Sequence, residues 1–331
     1  MLAILVFIVL FVSVFLIWKG SDWITDSMIP VANKLGTSYV AVTSLLVSFL
    51  ISIPEVFTSV YSYLQGHLNV GIGVIIGSVM INIGLTIGIS ATIKPLKIEK
   101  SIAIRDGIYL VIIAAVVLLM GADLNYNRNE GLILILLFMP YLLNVWFFEK
   151  HKSKKSKKEK VEDIKKALYL FSHMKFLKLK PSVTTFVLGA SLLISGSYLL
   201  SYCLIQIKEI CSLPGLLVGL IIGAVATATP NIITAVQGTL RGFKDVAITE
   251  TFGANIFTLL ITLGILILMK PFAITGRVFY FDLTWMIMIH LLVIMFIFKG
   301  YHYHEESLTR YEGIALILFY LAIVAVNYLM R

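Results

Sequence analysis

Apolar residues run through this chain in blocks of about 20, the length at which a helix crosses the hydrocarbon core of a bilayer, and polar residues collect where the blocks end. Blocks at 2–18 and 102–120 show the pattern clearly. Carried along the chain, it predicts ten transmembrane helices near 2–19, 39–63, 70–93, 102–121, 131–148, 182–203, 215–239, 246–269, 279–298 and 311–330. No basic residue precedes the first block, and Lys19, Asp22 and Asp26 follow it without a small-residue cleavage pattern. It therefore reads as a retained span rather than a cleaved signal.

The pattern also repeats. Shifted by 176 residues, Gly20-Ser21 falls on Gly196-Ser197, Pro54 on Pro230, Thr58 on Thr234, Gly66 on Gly242, Gly77 on Gly253 and Lys94-Pro95 on Lys270-Pro271. Thr86 meets Thr262, Gly88 meets Gly264 and Asp106 meets Asp282; after a six-residue slip Glu130-Gly131 meets Glu312-Gly313. Duplication explains one shared offset better than chance among glycine-rich helices. The expected organisation is a first five-helix repeat at 1–148, a basic loop at 149–181 and a second repeat at 182–331. Five spans is an odd number, so the second unit must enter the membrane from the opposite face. The fold class is an all-α integral membrane protein, ten transmembrane helices in two inverted five-helix repeats.

Within the spans, a few polar positions stand out. Pro54 and Pro230 hold equivalent places, and each removes a backbone donor, which predicts interrupted helices with the carbonyls of Leu50 and Ala226 set free. Glu55 follows the first proline. A carboxylate at mid-span costs a few kcal/mol to insert and needs a partner or an ion. Ser48, Ser52, Glu55 and Ser59 share one helical stripe, and Ser78 and Asn82 form an i, i+4 pair on the next span. Faces so rich in oxygen suit hard cations. In the second half Asn231 stands in the place of Glu55, Thr258 in that of Asn82 and Ala254 in that of Ser78, with Thr227 nearby. Glu250, on the Ala254/Thr258 face one turn outward, is a further candidate for the site or for the headgroup level. Asp106 and Asp282, at span entrances, read as anchors.

Composition agrees with a membrane protein: 59% of the 331 residues are hydrophobic and 14% charged. The net charge of +9 does not point to nucleic acid, because the basic residues crowd into the loop around HKSKKSKKEK, where anionic lipid headgroups are the expected partner. With the N-terminus outside, Lys19, Lys34, Lys94, Lys97, Lys100, Arg105, Arg241, Lys244, Lys299 and Arg310 fall on the cytoplasmic side. Arg128, Lys208, Lys270, Arg277 and Arg331 fall opposite. Ten against five places both termini outside a plasma membrane and the central loop in the cytoplasm. Cys203 and Cys211 suggest either free thiols or one small disulfide.

At these residues the chain resembles the calcium:cation antiporter superfamily, which includes sodium/calcium and proton/calcium exchangers. SFLISIPEVFTS and IIGSVMINIG look like its first repeat, AVATATPNIITA and TFGANIFTLLITLG like its second. The resemblance implies that the acidic residue after each proline ligates cations, with hydroxyls and amides on the next helix completing the site. By position that assigns Ser52, Glu55, Ser78 and Asn82, and, as substituted positions, Thr227, Asn231 and Thr258. The second glutamate is absent and the Gly-Thr-Ser approach to each proline is altered. Both departures weigh against high-affinity calcium, since one carboxylate leaves a divalent charge half balanced.

The expected function is a secondary cation antiporter, sodium or protons moving against calcium or another cation through one mid-membrane site. No cofactor is expected, and the cargo is inorganic cations. No HExxH, Gly-x-Ser-x-Gly or phosphate-binding glycine loop suggests an enzyme. The alternatives are a monovalent-cation channel or leak on a degenerate exchanger site, and a non-transporting membrane sensor with the basic loop as its effector surface.

Overall fold

The computed structural model describes residues 2–34, 49–50, 52–151, 179–240, 242, 246–303 and 308–330. Ten helices organise them: α1 (Leu2–Lys34), α2 (Ile53–Leu64), α3 (Leu68–Ile93), α4 (Lys100–Asp123), α5 (Arg128–His151), α6 (Val183–Ile210), α7 (Gly215–Leu240), α8 (Ala247–Met269), α9 (Val278–Gly300) and α10 (Arg310–Leu329). Among the described residues, all but α2 are long and apolar enough to cross a membrane. The part of the second expected span before Phe49, and most of the central basic loop, lie outside the described residues.

Burial sorts the helices into two layers. In α3 89% of the most apolar stretch is buried, in α8 72% and in α7 67%, against 28% in α1 and α5, so a site shielded from lipid must lie among α2, α3, α7 and α8. The outer helices present Phe11, Leu119, Leu136 and Leu318 to the apolar surroundings, as a lipid-facing layer requires.

The inverted repeat is visible in the chain path. The described helices include π-helical turns at Asn82–Ile87 in α3 and Thr258–Thr262 in α8, which start 176 residues apart, and at Ala103–Ile108 in α4 and Val278–Leu283 in α9. Gly66 and Gly242, one offset apart, both take positive φ (83° and 95°), a left-handed turn that favours glycine. A two-residue antiparallel ladder joins β1 (Asn125–Tyr126) to β2 (Phe272–Ala273), and Leu96 bridges Leu308 in the equivalent place.

Close backbone approach follows the same symmetry. A Cβ on Gly131 would lie 2.9 Å from the carbonyl oxygen of Gly264, and one on Gly313 2.7 Å from that of Gly88. Gly20 and Gly189 face each other similarly across the α1–α6 seam, at 2.6 and 2.8 Å. Lipid gives helices no hydrophobic reason to associate, so such small-residue seams supply van der Waals contact instead.

The two prolines are not equivalent. Pro54 stands in the first turn of α2, where a fixed φ suits helix initiation and the missing N–H is no loss, so the chain is interrupted there as expected. Pro230, expected to break its helix too, sits within a continuous α7. Beside it Thr229 Oγ1 donates to Val225 O at 2.8 Å and Thr227 Oγ1 to Ala224 O at 3.3 Å, back-bonds that bend a helix without ending it. The first span also runs to Lys34, well beyond the predicted end at residue 19. Cys203 and Cys211 are both free.

Candidate cation site

Glu55 lies in the first turn of α2, the helix end whose unpaired N–H groups favour negative charge. Its side chain is fully buried, and neither carboxylate oxygen has a hydrogen bond among the described residues. It faces neither hydrocarbon nor headgroups. α2 packs against α3, against α7 and against the π-helical turn of α8. Ser52, just before α2, is fully buried as well. Ser59 instead donates to Gly71 O at 3.1 Å, which ties α2 to α3 and makes its role one of packing. Ser48 lies outside the described residues.

The two halves meet through polar side chains on α3 and α7. Ser78 Oγ and Thr227 Oγ1 are 2.9 Å apart, and one turn further Asn231 Nδ2 donates to Asn82 Oδ1 at 3.1 Å. The predicted residues Ser78, Asn82, Thr227 and Asn231 are thus joined in pairs across the pseudo-twofold axis, all buried. Thr258 opens the π-helical turn of α8 as Asn82 opens that of α3; its hydroxyl is buried and has no hydrogen bond among the described residues. A π turn disturbs the i→i−4 ladder locally and is common where backbone serves a site. Glu250 is half-buried on α8, five residues before Asn255 and so about 7.5 Å away along the axis.

Asn255 and His290 belong to the same cluster. Asn82 Nδ2 donates to Asn255 Oδ1 at 2.9 Å, Asn255 Nδ2 donates to Val79 O at 2.9 Å, and the same nitrogen lies 3.3 Å from His290 Nε2. Both residues are fully buried. The only carboxylate among these groups is Glu55; apart from the His290 ring, the rest offer neutral amide and hydroxyl oxygens. No group of three or more His, Cys, Asp or Glu able to hold a metal occurs among the described residues. The oxygen donors have the hardness that alkali and alkaline-earth cations prefer.

The profile of the family described as sodium/calcium exchanger protein matches residues 5–147 and 181–329. The chain belongs to this family. This exchanger-family chain is 28% identical to sodium/calcium exchanger MaX1 of Methanosarcina acetivorans, over 97% of each protein. It is also 28% identical to human sodium/potassium/calcium exchanger 5, over 44% of this chain and 30% of that one. The solved structure of the sodium-calcium exchanger NCX_Mj soaked with Na+ and Sr2+ superimposes with a TM-score of 0.67 at 19% identity, covering 97% of this chain and 98% of that one, which establishes the shared fold. The named relatives are exchangers, transporters rather than enzymes.

For this exchanger-family chain, repeat comparison passes over Asn255 because the 176-residue offset pairs it with Val79, an apolar position. Asn255 lies within the quoted TFGANIF stretch, and His290 is an ionisable residue inside an apolar span. That alone is a signal of intramembrane function.

Proposed function

We propose that the chain is a secondary cation antiporter, exchanging sodium or protons against calcium or another cation at one mid-membrane site formed by Glu55 with Ser52, Ser78, Asn82, Thr227, Asn231 and Thr258. The observation that carries this reading is Glu55: a fully buried carboxylate without a hydrogen-bond partner among the described residues, on a helix packed against those bearing the buried amides and hydroxyls. A buried charge without a partner is expensive, so the group takes either a cation or a proton. Because both neutralise the same carboxylate, the two ions compete, and competition couples their movements. Asn231, where the repeat calls for a second carboxylate, lowers the charge available to a divalent ion and favours monovalent cargo. Glu250, one turn outward, is assigned an auxiliary place on the approach.

The packing supports alternate opening to the two faces. A cleft between α1 and α7, lined by Ser21, Asp22, Thr25, Thr234 and Gln237, reaches Pro230. At the positions one offset away from Asp22 and Gln237, Tyr198 and Tyr61 pack edge to face with ring centroids 5.3 Å apart, closing the equivalent seam. The glycine contact between α1 and α6 provides a smooth surface on which the long outer helices slide. By its basic residues the protein sits in the plasma membrane with both termini outside and the basic loop against anionic lipid in the cytoplasm.

The test is isotope flux in proteoliposomes with sodium, potassium, calcium, magnesium and pH varied in turn. Flux that requires an opposing cation gradient, and its loss in Glu55→Gln, are the expected results. Flux independent of any counter-ion supports a leak instead, and undiminished exchange by Glu55→Gln removes that residue from the mechanism.

A further inference from the structure

We infer that Asn255 and His290 are positioning residues of the cation site: they determine which end of the row of buried amides faces the ion. The inference rests on the antiport reading above and adds two residues to it. His290 is wholly buried on α9, with Nδ1 against the carbonyl oxygen of Met286, one turn back. A carbonyl only accepts, so Nδ1 carries the proton, and Nε2 of the neutral ring is left as an acceptor.

Asn255 turns one end of its amide toward both Nε2, at 3.3 Å, and Val79 O, at 2.9 Å. Two acceptors facing one end require that end to be the NH2, which has two hydrogens to give. The Asn255 carbonyl therefore points the other way and accepts from Asn82 Nδ2 at 2.9 Å. Asn82 is then left to offer Oδ1 to Asn231, whose Nδ2 donates at 3.1 Å. Each link passes the polarity on. At the far end the Asn231 NH2 is engaged, and its Oδ1 has no hydrogen bond among the described residues.

A row of three amides has two self-consistent polarities. One leaves carbonyl oxygen at the Asn231 end and the other leaves NH2, and a cation binds the first and is repelled by the second. The acceptors Val79 O and His290 Nε2 select the first. His290 acts through Asn255 and Asn82, and needs no contact with the ion. Its effect falls on cation affinity, because the polarity of the row is part of the binding-competent state and every population lost to the reversed row weakens apparent binding.

Cation KM and Vmax, from flux in proteoliposomes with sodium and calcium as the probes, test this in four proteins: wild type, His290→Gln, His290→Met and Asn255→Leu. Gln restores an acceptor carbonyl in place of the imidazole, whereas Met fills similar volume without a comparable one. The expected result is that His290→Gln stays within about twofold of wild-type KM, while His290→Met raises KM about fivefold, the worth of one hydrogen bond. Asn255→Leu, which cuts the row, raises KM about tenfold or more, with Vmax retained in every variant. Melting in the absence of transported cations gives the control. A histidine serving only the fold would lower melting temperature and Vmax together, and Gln would not rescue KM. An unchanged KM in His290→Met, or equal loss in Gln and Met, overturns the inference, and the His290 pair decides even where Asn255→Leu fails to fold. If wild type shows no cation-dependent counterflow, the antiport reading falls and takes this one with it. If counterflow is present and lost in Glu55→Gln while His290→Met keeps its KM, only the positioning role falls.

Discussion

Gly77→Ala tests whether the α3–α7 seam holds the two halves of the site together. Gly77 immediately precedes Ser78, and a Cβ there would lie 2.4 Å from Leu220 O and 2.6 Å from the Ala224 side chain. The nearer obstacle is backbone, which cannot rotate away. Restoring an ordinary contact of about 3.5 Å opens the seam locally by about 1.1 Å from the present 2.4 Å. An opening of that size carries the Ser78–Thr227 and Asn82–Asn231 contacts, now 2.9 and 3.1 Å, past the ~3.2 Å limit of a sound hydrogen bond. Overpacking costs about 1–3 kcal/mol and two lost hydrogen bonds about 1 kcal/mol each. Alanine returns only about 1 kcal/mol of helix propensity. The clash therefore wins, by about 2–4 kcal/mol, the difference of those figures. Thermal melting in detergent reads the stability and cation flux reads the site; both should fall. Gly276→Ala is the control, since its nearest neighbour, the Tyr280 ring, is 3.7 Å away. A Gly77→Ala protein that melts and transports like the control would refute the reasoning.

Three further outcomes are expected. Arg105→Met removes two 2.7 Å charge-assisted bonds to Asp106, itself 1% exposed, and should destabilise the protein by about 3 kcal/mol or more, measured as a drop in melting temperature. Asn231→Glu supplies the missing second carboxylate and should tighten calcium binding on the order of tenfold, read by calorimetry; equal or weaker binding would show that charge count does not limit the site. Thr309→Ala breaks the capping box that starts α10, in which Thr309 and Glu312 exchange hydrogen bonds, and should cost about 1 kcal/mol while leaving flux kinetics untouched.

Glu55 was legible because a lone carboxylate in an apolar span has few explanations. Asn231 was legible because the 176-residue offset sets it in the place of Glu55, and Ser78 and Asn82 because they form an i, i+4 polar pair in an apolar span; that Ser78 meets Thr227 and Asn82 meets Asn231, each pair 149 residues apart, was not. Pro230 misled: a proline reads as a break, yet α7 continues through it, as membrane-spanning helices packed among neighbours can. Ser59 looked like part of an oxygen-rich stripe and is used to dock α2 on α3.

By itself the sequence determined the membrane class, the succession of spans and the inversion of the halves. The bilayer imposes length and apolarity on every span, and an odd helix count admits one relative orientation. Only the tertiary structure decided that Asn255 and His290 join Asn82 and Asn231 in one directed row. Hydrogen-bond polarity is a property of groups distant in sequence, and no local spacing records which atom of an amide will find an acceptor across a helix interface.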